Sequence, residues 1–166
     1  MSLPTIAIRA PWWELCYNGT KTVEGRKRTV LNKLCPYIDH PSPSDVEGRT
    51  VIFKLDEDRT GGWWIGLILM GVVVFSVYAR IVQTALIAAG CILYECFRPR
   101  EFKAMIVKVR SYATLEAYID GCGWQNVLPW WTVQSREDAL EVYRQFYTDK
   151  EIHECGGMVA LSFVKV

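Results

Sequence analysis

The chain has 166 residues, with 19 Lys and Arg against 18 Asp and Glu, so its formal net charge is only +1. The length suits one domain with a substantial core. The balanced charge excludes a protein that binds nucleic acid through its net charge, so any anion-binding surface must come from local clustering. Basic residues do cluster, at positions 9–33 and again at 98–110.

The cysteines and the N-terminus indicate a reducing compartment. Six cysteines occur without a CxxC pair, and the two histidines, His40 and His153, are far apart in sequence. No charged and apolar leader pattern is visible at the start of the sequence. We therefore expect reduced, mostly buried thiols, a cytoplasmic protein, no bound metal and no cofactor.

The elements follow one another as short strands and helices. Alternation, caps and turn residues predict strands at 5–9, 21–29, 50–55, 102–110 and 158–166 and helices at 12–17, 115–119 and 135–147, with a proline-containing loop at 36–44. The last of these helices has Ser135 as its N-cap candidate. Short mixed strands with helices between them predict an α+β domain with a mostly antiparallel barrel.

A hydrophobic insertion at about residues 60–100 does not fit this pattern. Residues 60–79 contain no charge, Arg80 interrupts, and residues 81–94 are again uncharged. A single membrane crossing would put strands of one barrel on opposite sides of the bilayer. Three interpretations remain: a buried or self-associating hairpin, which would imply a homo-oligomer, a membrane-inserted hairpin, and translated non-coding sequence. We treat residues 1–166 as one domain with this insertion.

The motif Gly19-x-Lys21-x-x-Glu24-x-Arg26 carries the most specific chemistry. On a strand, Glu24 and Arg26 lie on one face, and Lys21 at the preceding turn can reach over the same cleft. Two flanking cations would keep Glu24 ionised, and the carboxylate could then accept from a nucleobase amine. The alternative is a surface ion-pair cluster that contributes little to stability, and the residues alone favour that alternative.

The motif and its surroundings resemble the ASCH family, whose fold is related to the PUA fold. The residues similar to that family run in its order through about 5–58 and 102–166, including Pro11-Trp12-Trp13, the motif itself, the stretch 107–119, the stretch 126–147 and the closing Met158-Val159-Ala160-Leu161. The resemblance implies a PUA-like, mostly antiparallel β-barrel with flanking short helices. It also implies that the cleft around Lys21, Glu24 and Arg26 binds RNA or a nucleotide.

Some ASCH proteins are instead hydrolases of N4-acylated cytidine or of RNA. In the amidohydrolase type a threonine stands where this chain has Glu24, beside a lysine that matches Lys21. That mechanism therefore cannot be carried over intact. A catalytic alternative remains in which Glu24 acts as a general base on water and Lys21 polarises a carbonyl group of a modified nucleoside.

Further candidates for contacts to RNA or a nucleoside lie outside the motif. In each adjacent pair, Trp12-Trp13 and Trp130-Trp131, one ring is expected to pack inward, because neighbouring helical residues diverge by about 100°. Trp12, next to the motif, is the candidate for base stacking. Arg9 and Arg110 are candidate phosphate contacts. The aromatic residues of the last helix are expected to pack it on the barrel.

Overall fold

A computed structural model of the chain describes residues 3–10, 12–56, 86–94, 97, 99–128 and 133–166. The strands are β1 (Thr5–Arg9), β2 (Val23–Lys27), β3 (Thr50–Asp56), β4 (Glu101–Tyr112) and β5 (Met158–Lys165). The helices are α1 (Trp12–Tyr17), α2 (Val30–Leu34), α3 (Leu115–Cys122), α4 (Trp124–Val127), α5 (Arg136–Arg144) and α6 (Asp149–Glu154), with a 3-10 turn at Pro43–Asp45.

The five strands form one mixed sheet in the order β1-β3-β4-β5-β2. Strands β1 and β3 are parallel, and the other three pairs are antiparallel. The sheet curls into a half-barrel whose two edge strands are β1 and β2. This confirms the expected α+β fold with a barrel-like, mostly antiparallel sheet. The parallel pairing of β1 with β3 was not predicted.

Strand β5 lies between two hydrophobic cores. Val159, Leu161 and Phe163 belong to the core inside the curled sheet, whereas Met158 and Ala160 belong to a second core formed with the helices. Successive side chains of a strand point to opposite faces, so a strand covered on both sides is apolar at almost every position. The alternation predicted for this strand is therefore confirmed, with both of its faces buried.

The helices near the C-terminus differ from the prediction in their extent. Ser135 caps α5 as expected, by accepting from the backbone N–H of Asp138, and the Asp138 carboxylate accepts in return from the Ser135 N–H. Helix α5 ends at Arg144 rather than at residue 147, and Thr148 caps the separate helix α6. Both α6 and α2 were not predicted, because each is only one or two turns long.

Five of the six cysteines fall within the described residues, and all five are free thiols. Cys16, Cys35 and Cys122 are buried, in agreement with the expectation for most of them. Burial raises the pKa of the Cys16 thiol to about 12, so this thiol stays protonated. Among the described residues, no three His, Cys, Asp or Glu side chains group so as to hold a metal ion.

Most of the hydrophobic insertion, and with it most of what its three interpretations concern, lies outside the described residues. Residues 86–94 are helical, and several of their apolar side chains are exposed, including Leu86, Ile92 and Leu93. In the part of the chain that the structure describes, no helix combines the length and the apolar composition needed to cross a membrane. The hairpin predicted within the insertion at about 60–100 stays a prediction, because residues 60–85 lie outside the described residues.

Candidate functional site

A cavity of about 310 Å³ opens between the two edge strands of the half-barrel. Strand β1, helix α1, the turn before β2, strand β2 itself and the chain around the end of α5 all contribute side chains. The main ones are Ala7, Arg9, Trp12, Lys21, Glu24, Arg26, Tyr143, Phe146 and Tyr147. The same cavity thus contains the sequence motif and several aromatic rings.

The cavity exists because no backbone ladder joins β1 to β2. The N–H of Ile52 donates to the carbonyl of Pro4, so the backbone groups of every second β1 residue bond to β3 and those of Ala7 face the open edge. Across the gap, the Arg26 guanidinium donates to the carbonyl of Ala7. The Arg26 side chain therefore bridges the two edges, and the space beside it is open to a ligand.

Three charged side chains form the floor of the cavity. The Glu24 carboxylate accepts from the Lys21 ammonium through Oε2, and its Oε1 lies 2.9 Å from Nη2 of Arg26. Lys21 and Glu24 are only 5% and 6% exposed. Strand alternation places Glu24 and Arg26 on one face, and the turn at Gly19, whose φ is +80°, brings Lys21 over them. Lys21 and Glu24 are therefore buried and not on the surface as the ion-pair alternative supposed, while the Arg26 side chain is 23% exposed.

All three floor residues remain charged at neutral pH. Burial alone would raise the pKa of Glu24, but Lys21 and Arg26 outweigh it and hold the pKa below its usual value. Burial likewise disfavours the Lys21 ammonium, yet Glu24 outweighs this and raises the pKa of Lys21. The Arg26 pKa is raised by the same carboxylate against the effect of burial. The floor therefore consists of two cations that share one anion.

Two tyrosines extend the floor into the second core. The hydroxyl of Tyr143, which lines the cavity, lies 2.9 Å from the hydroxyl of the fully buried Tyr118. Tyr118 packs so closely on Gly25 that a Cβ there would lie 2.3 Å from its hydroxyl oxygen. Burial raises the pKa of Tyr143 to about 12, so this hydroxyl keeps its proton at neutral pH.

The mouth of the cavity is aromatic and more accessible. The Arg9 guanidinium lies 5.3 Å from the centre of the Phe146 ring and 3.8 Å from the Asp56 carboxylate. Phe146 is 40% exposed, and Trp12 is half-buried, while its neighbour Trp13 is only 1% exposed. The expectation that one ring of this tryptophan pair packs inward is confirmed. The pair Trp130-Trp131 lies outside the described residues.

The structure brings five of the six predicted site residues together, namely Arg9, Trp12, Lys21, Glu24 and Arg26. Arg110 does not line the cavity, because its guanidinium donates to the carbonyl of Gly121 near the end of α3, at 3.1 Å. Sequence reasoning missed Asp56 and the aromatic residues at the end of α5 and just after it, which are Tyr143, Phe146 and Tyr147. Their i, i+3 and i+4 spacing was visible, but it was interpreted as core packing alone.

Similar solved structures show the fold without a function. A crystal structure of the hypothetical protein PH0355 is similar over 98% of this chain and 97% of that chain, with a TM-score of 0.52 and 19% identity. A solution NMR structure of protein PF0455 from Pyrococcus furiosus covers 99% of this chain and 98% of that chain, with a TM-score of 0.51 and 16% identity. No family model matches the chain, and no curated protein matches it.

Proposed function

We propose that the chain is an ASCH-like domain with a PUA-like half-barrel, and that its cavity binds a nucleotide unit, either free or within RNA. One observation carries this proposal: a cavity of single-ligand size combines aromatic rings with buried cations. Aromatic faces stack bases, and Lys and Arg hold phosphate or carbonyl oxygens. A second cavity, lined by Trp13, Tyr17, Tyr94 and Phe97 among others, has aromatic rings but no Lys or Arg among the described residues of its lining.

The position of the motif supports the same proposal. The residues that resemble the ASCH signature, Lys21, Glu24 and Arg26, all line the cavity instead of lying on a solvated strand. Burying Lys21 and Glu24, with Arg26 partly buried beside them, lowers stability unless the charges are well paired, so such a cluster is unfavourable for a merely structural purpose. Perturbed charged groups inside a cavity are typical of functional sites.

Binding can be tested with variants at the mouth, because the buried floor residues also hold the fold together. We expect a fluorescently labelled single-stranded RNA or a nucleoside monophosphate to bind, with an affinity that falls as salt rises. Phe146→Ala removes an exposed ring and should weaken binding about 10-fold, since stacking contributes about 1–3 kcal/mol per base. Arg9→Gln should weaken it several-fold.

Two matched variants control for general effects of aromatic and basic residues. Tyr37 is 82% exposed and Lys33 is exposed, and neither lines the cavity. Tyr37→Ala and Lys33→Gln should therefore bind like the wild type. If Phe146→Ala and Arg9→Gln bind as tightly as these two controls, or if neither RNA nor any nucleotide binds the wild type, the proposal is wrong.

The hydrolase alternative depends on Glu24 as a general base, and the geometry disfavours that role. Both of its oxygens are engaged by cations, and those cations lower the pKa of the carboxyl, so it is a weak base near neutral pH. We therefore place binding before hydrolysis. Turnover of N4-acetylcytidine or of RNA that is lost in a folded Glu24→Gln variant would reverse this order.

A further inference from the structure

The hydrogen-bonding groups of the cavity floor specify what kind of atom can bind there. A carboxylate recognises a nucleobase by accepting from its amine or ring N–H groups. The oxygens of Glu24, however, already accept from Lys21 and Arg26, which hold the carboxylate in place. Glu24 therefore positions the two cations, and with 6% exposure its carboxylate offers little accessible surface to a ligand donor.

Unused donors, in contrast, are present in the floor. An ammonium group has three N–H donors. Within the described residues, Nζ of Lys21 makes one hydrogen bond, to Glu24. Arg26 lines the cavity, and its Nε is buried and has no hydrogen-bond partner among those residues. A buried donor without an acceptor costs about 1–3 kcal/mol, so the Arg26 guanidinium is not fully satisfied by the protein.

The tyrosine pair adds a third donor with a defined direction. Only one of the two hydroxyl protons can lie between Tyr118 and Tyr143. Tyr118 is 0% exposed and has no other hydrogen-bond partner among the described residues, so its proton is satisfied only if Tyr118 donates to Tyr143. The proton of Tyr143 is then free to point into the cavity. Tyr118 is in this sense a positioning residue for the Tyr143 hydroxyl.

The charge of the floor selects among the oxygen groups that could accept these bonds. Lys21 and Arg26 carry two positive charges against the single negative charge of Glu24, while Arg9 and Asp56 balance each other at the mouth. A buried excess of one positive charge is stabilised by an anion. We infer that the floor binds a phosphate group, through Lys21, Arg26 and the Tyr143 hydroxyl.

This inference rests on the proposed function and reverses the orientation that the sequence indicates. The phosphate lies inside the cavity, and the base lies at the mouth against the Phe146 ring, next to Arg9. A volume of about 310 Å³ is at the lower end of the range of about 300–1,000 Å³ for small-ligand sites. The ligand class is thus a nucleoside monophosphate or the phosphorylated end of an RNA strand, and not the interior of a strand.

Calorimetric titration of the full chain with a set of probes separates the possibilities. The probes are the four nucleosides, their 5′- and 3′-monophosphates, inorganic phosphate, and a short single-stranded RNA with and without a terminal phosphate. We expect a monophosphate to bind at least about 10-fold tighter than its nucleoside, since hydrogen bonds to charged groups contribute about 1.5–3 kcal/mol. We also expect the terminal phosphate to strengthen RNA binding to a similar extent.

Each other outcome has a distinct meaning. Equal affinity for nucleoside and monophosphate, or for RNA with and without its terminal phosphate, overturns the phosphate site but leaves nucleobase binding intact. Inorganic phosphate that binds as tightly as every nucleotide supports the phosphate site and overturns the proposed nucleotide function. No binding of any probe overturns both.

Hydroxyl-deletion variants test the role of the tyrosine pair. Tyr143→Phe alone would leave the Tyr118 hydroxyl buried without a partner, so the double variant Tyr118→Phe/Tyr143→Phe is preferable. It should lose about 10-fold in monophosphate affinity and keep its nucleoside affinity. Tyr112→Phe is the matched control, since Tyr112 packs edge-on against Tyr118 but does not line the cavity. A double variant that binds monophosphates like this control would overturn the assignment of Tyr143.

Discussion

The floor and the mouth of the cavity both place an arginine beside a carboxylate, yet the two pairs differ in almost every physical respect. At the floor, Arg26 and Glu24 are 2.9 Å apart, and the Glu24 side chain is 7% exposed. At the mouth, Arg9 and Asp56 are 3.8 Å apart, with side chains 44% and 35% exposed. Water screens the second pair, whereas the first has little water around it.

This difference in exposure implies that the floor pair matters mainly for stability and the mouth pair mainly for recognition. A buried pair has lost its hydration, so removing one partner leaves an unsolvated charge and destabilises the fold. A half-exposed pair contributes between zero and about 1 kcal/mol. Either of its groups can therefore leave its partner and contact a ligand at little cost. Substitutions at the floor should therefore act mainly on folding, and those at the mouth mainly on binding.

The largest effect is expected when the floor loses its only anion. Glu24→Gln should lower the free energy of unfolding by about 3–5 kcal/mol, because Lys21 and Arg26 would be left without a compensating charge. Urea denaturation followed by circular dichroism measures this. Asp56→Asn is the matched change at the mouth and should alter the free energy by less than about 1 kcal/mol. Equal effects of the two substitutions would show that the floor is as hydrated as the mouth.

A second substitution tests how tightly Tyr118 packs against the motif strand at Gly25. Gly25→Ala places a Cβ 2.3 Å from the hydroxyl oxygen and 2.6 Å from Cζ of Tyr118, so the strand or the ring must move. We expect a loss of about 1–3 kcal/mol in the free energy of unfolding. Gly90→Ala, where a Cβ would meet nothing within 4 Å, is the control and should not destabilise the protein. A stable Gly25→Ala variant would mean that Tyr118 does not pack on the motif.

The contributions of Glu24 and Lys21 to stability should be lost in different pH ranges. The pKa of Glu24 is lowered from its ordinary value of 4.5, so its contribution is present above that pH and is lost as the pH falls through the folded-state value. The pKa of Lys21 is raised from 10.5, so its contribution is present below that pH and is lost at more alkaline pH. Stability should therefore be highest between these limits.

Urea midpoints measured from pH 3 to pH 7 test the acid side of this expectation. Glu24→Gln should make the loss of stability on acidification shallower than in the wild type. Asp120→Asn, which removes an exposed carboxylate that pairs with Arg136, is the control and should change the slope less. The reverse order of the two slopes would contradict the assignment to Glu24.

The smallest effect on stability is expected at Arg9. Arg9→Gln should change the free energy of unfolding by less than about 1 kcal/mol, because the side chain is 44% exposed and its carboxylate partner is also solvated. The same variant should bind nucleotides several-fold more weakly. A loss of stability comparable to that of Glu24→Gln would remove the distinction between floor and mouth.

Much of the fold followed from local patterns. The alternation in β1 and β5, the turn before β3 and the Ser135 cap predicted these elements within a few residues, because periodicity, turns and capping depend on near neighbours in sequence. The parallel pairing of β1 with β3 did not follow, since strand order depends on how the sheet closes around its core. Helix α6 was missed because it is too short for its periodicity to be visible.

The sequence predicted the part of the site that comes from one short segment, residues 21–26. Lys21, Glu24 and Arg26 lie within six positions, so their charges and strand register indicate a cluster directly. Phe146 and Tyr147 are more than 100 positions away from the motif, and the fold alone brings them to it. Arg110 was a reasonable candidate by charge, but its guanidinium donates to the Gly121 carbonyl near the end of α3.

The sequence by itself determined which residues alternate, which helices are capped, and that a carboxylate stands between two cations. Only the tertiary structure decided that these charges are buried beneath a cavity, because desolvation depends on the distant residues that pack around a group. Tyr118 and Tyr143 cover the motif from one side, and the open edge of β1 faces it from the other. Local sequence specifies the charges, and long-range packing sets the dielectric environment in which they act.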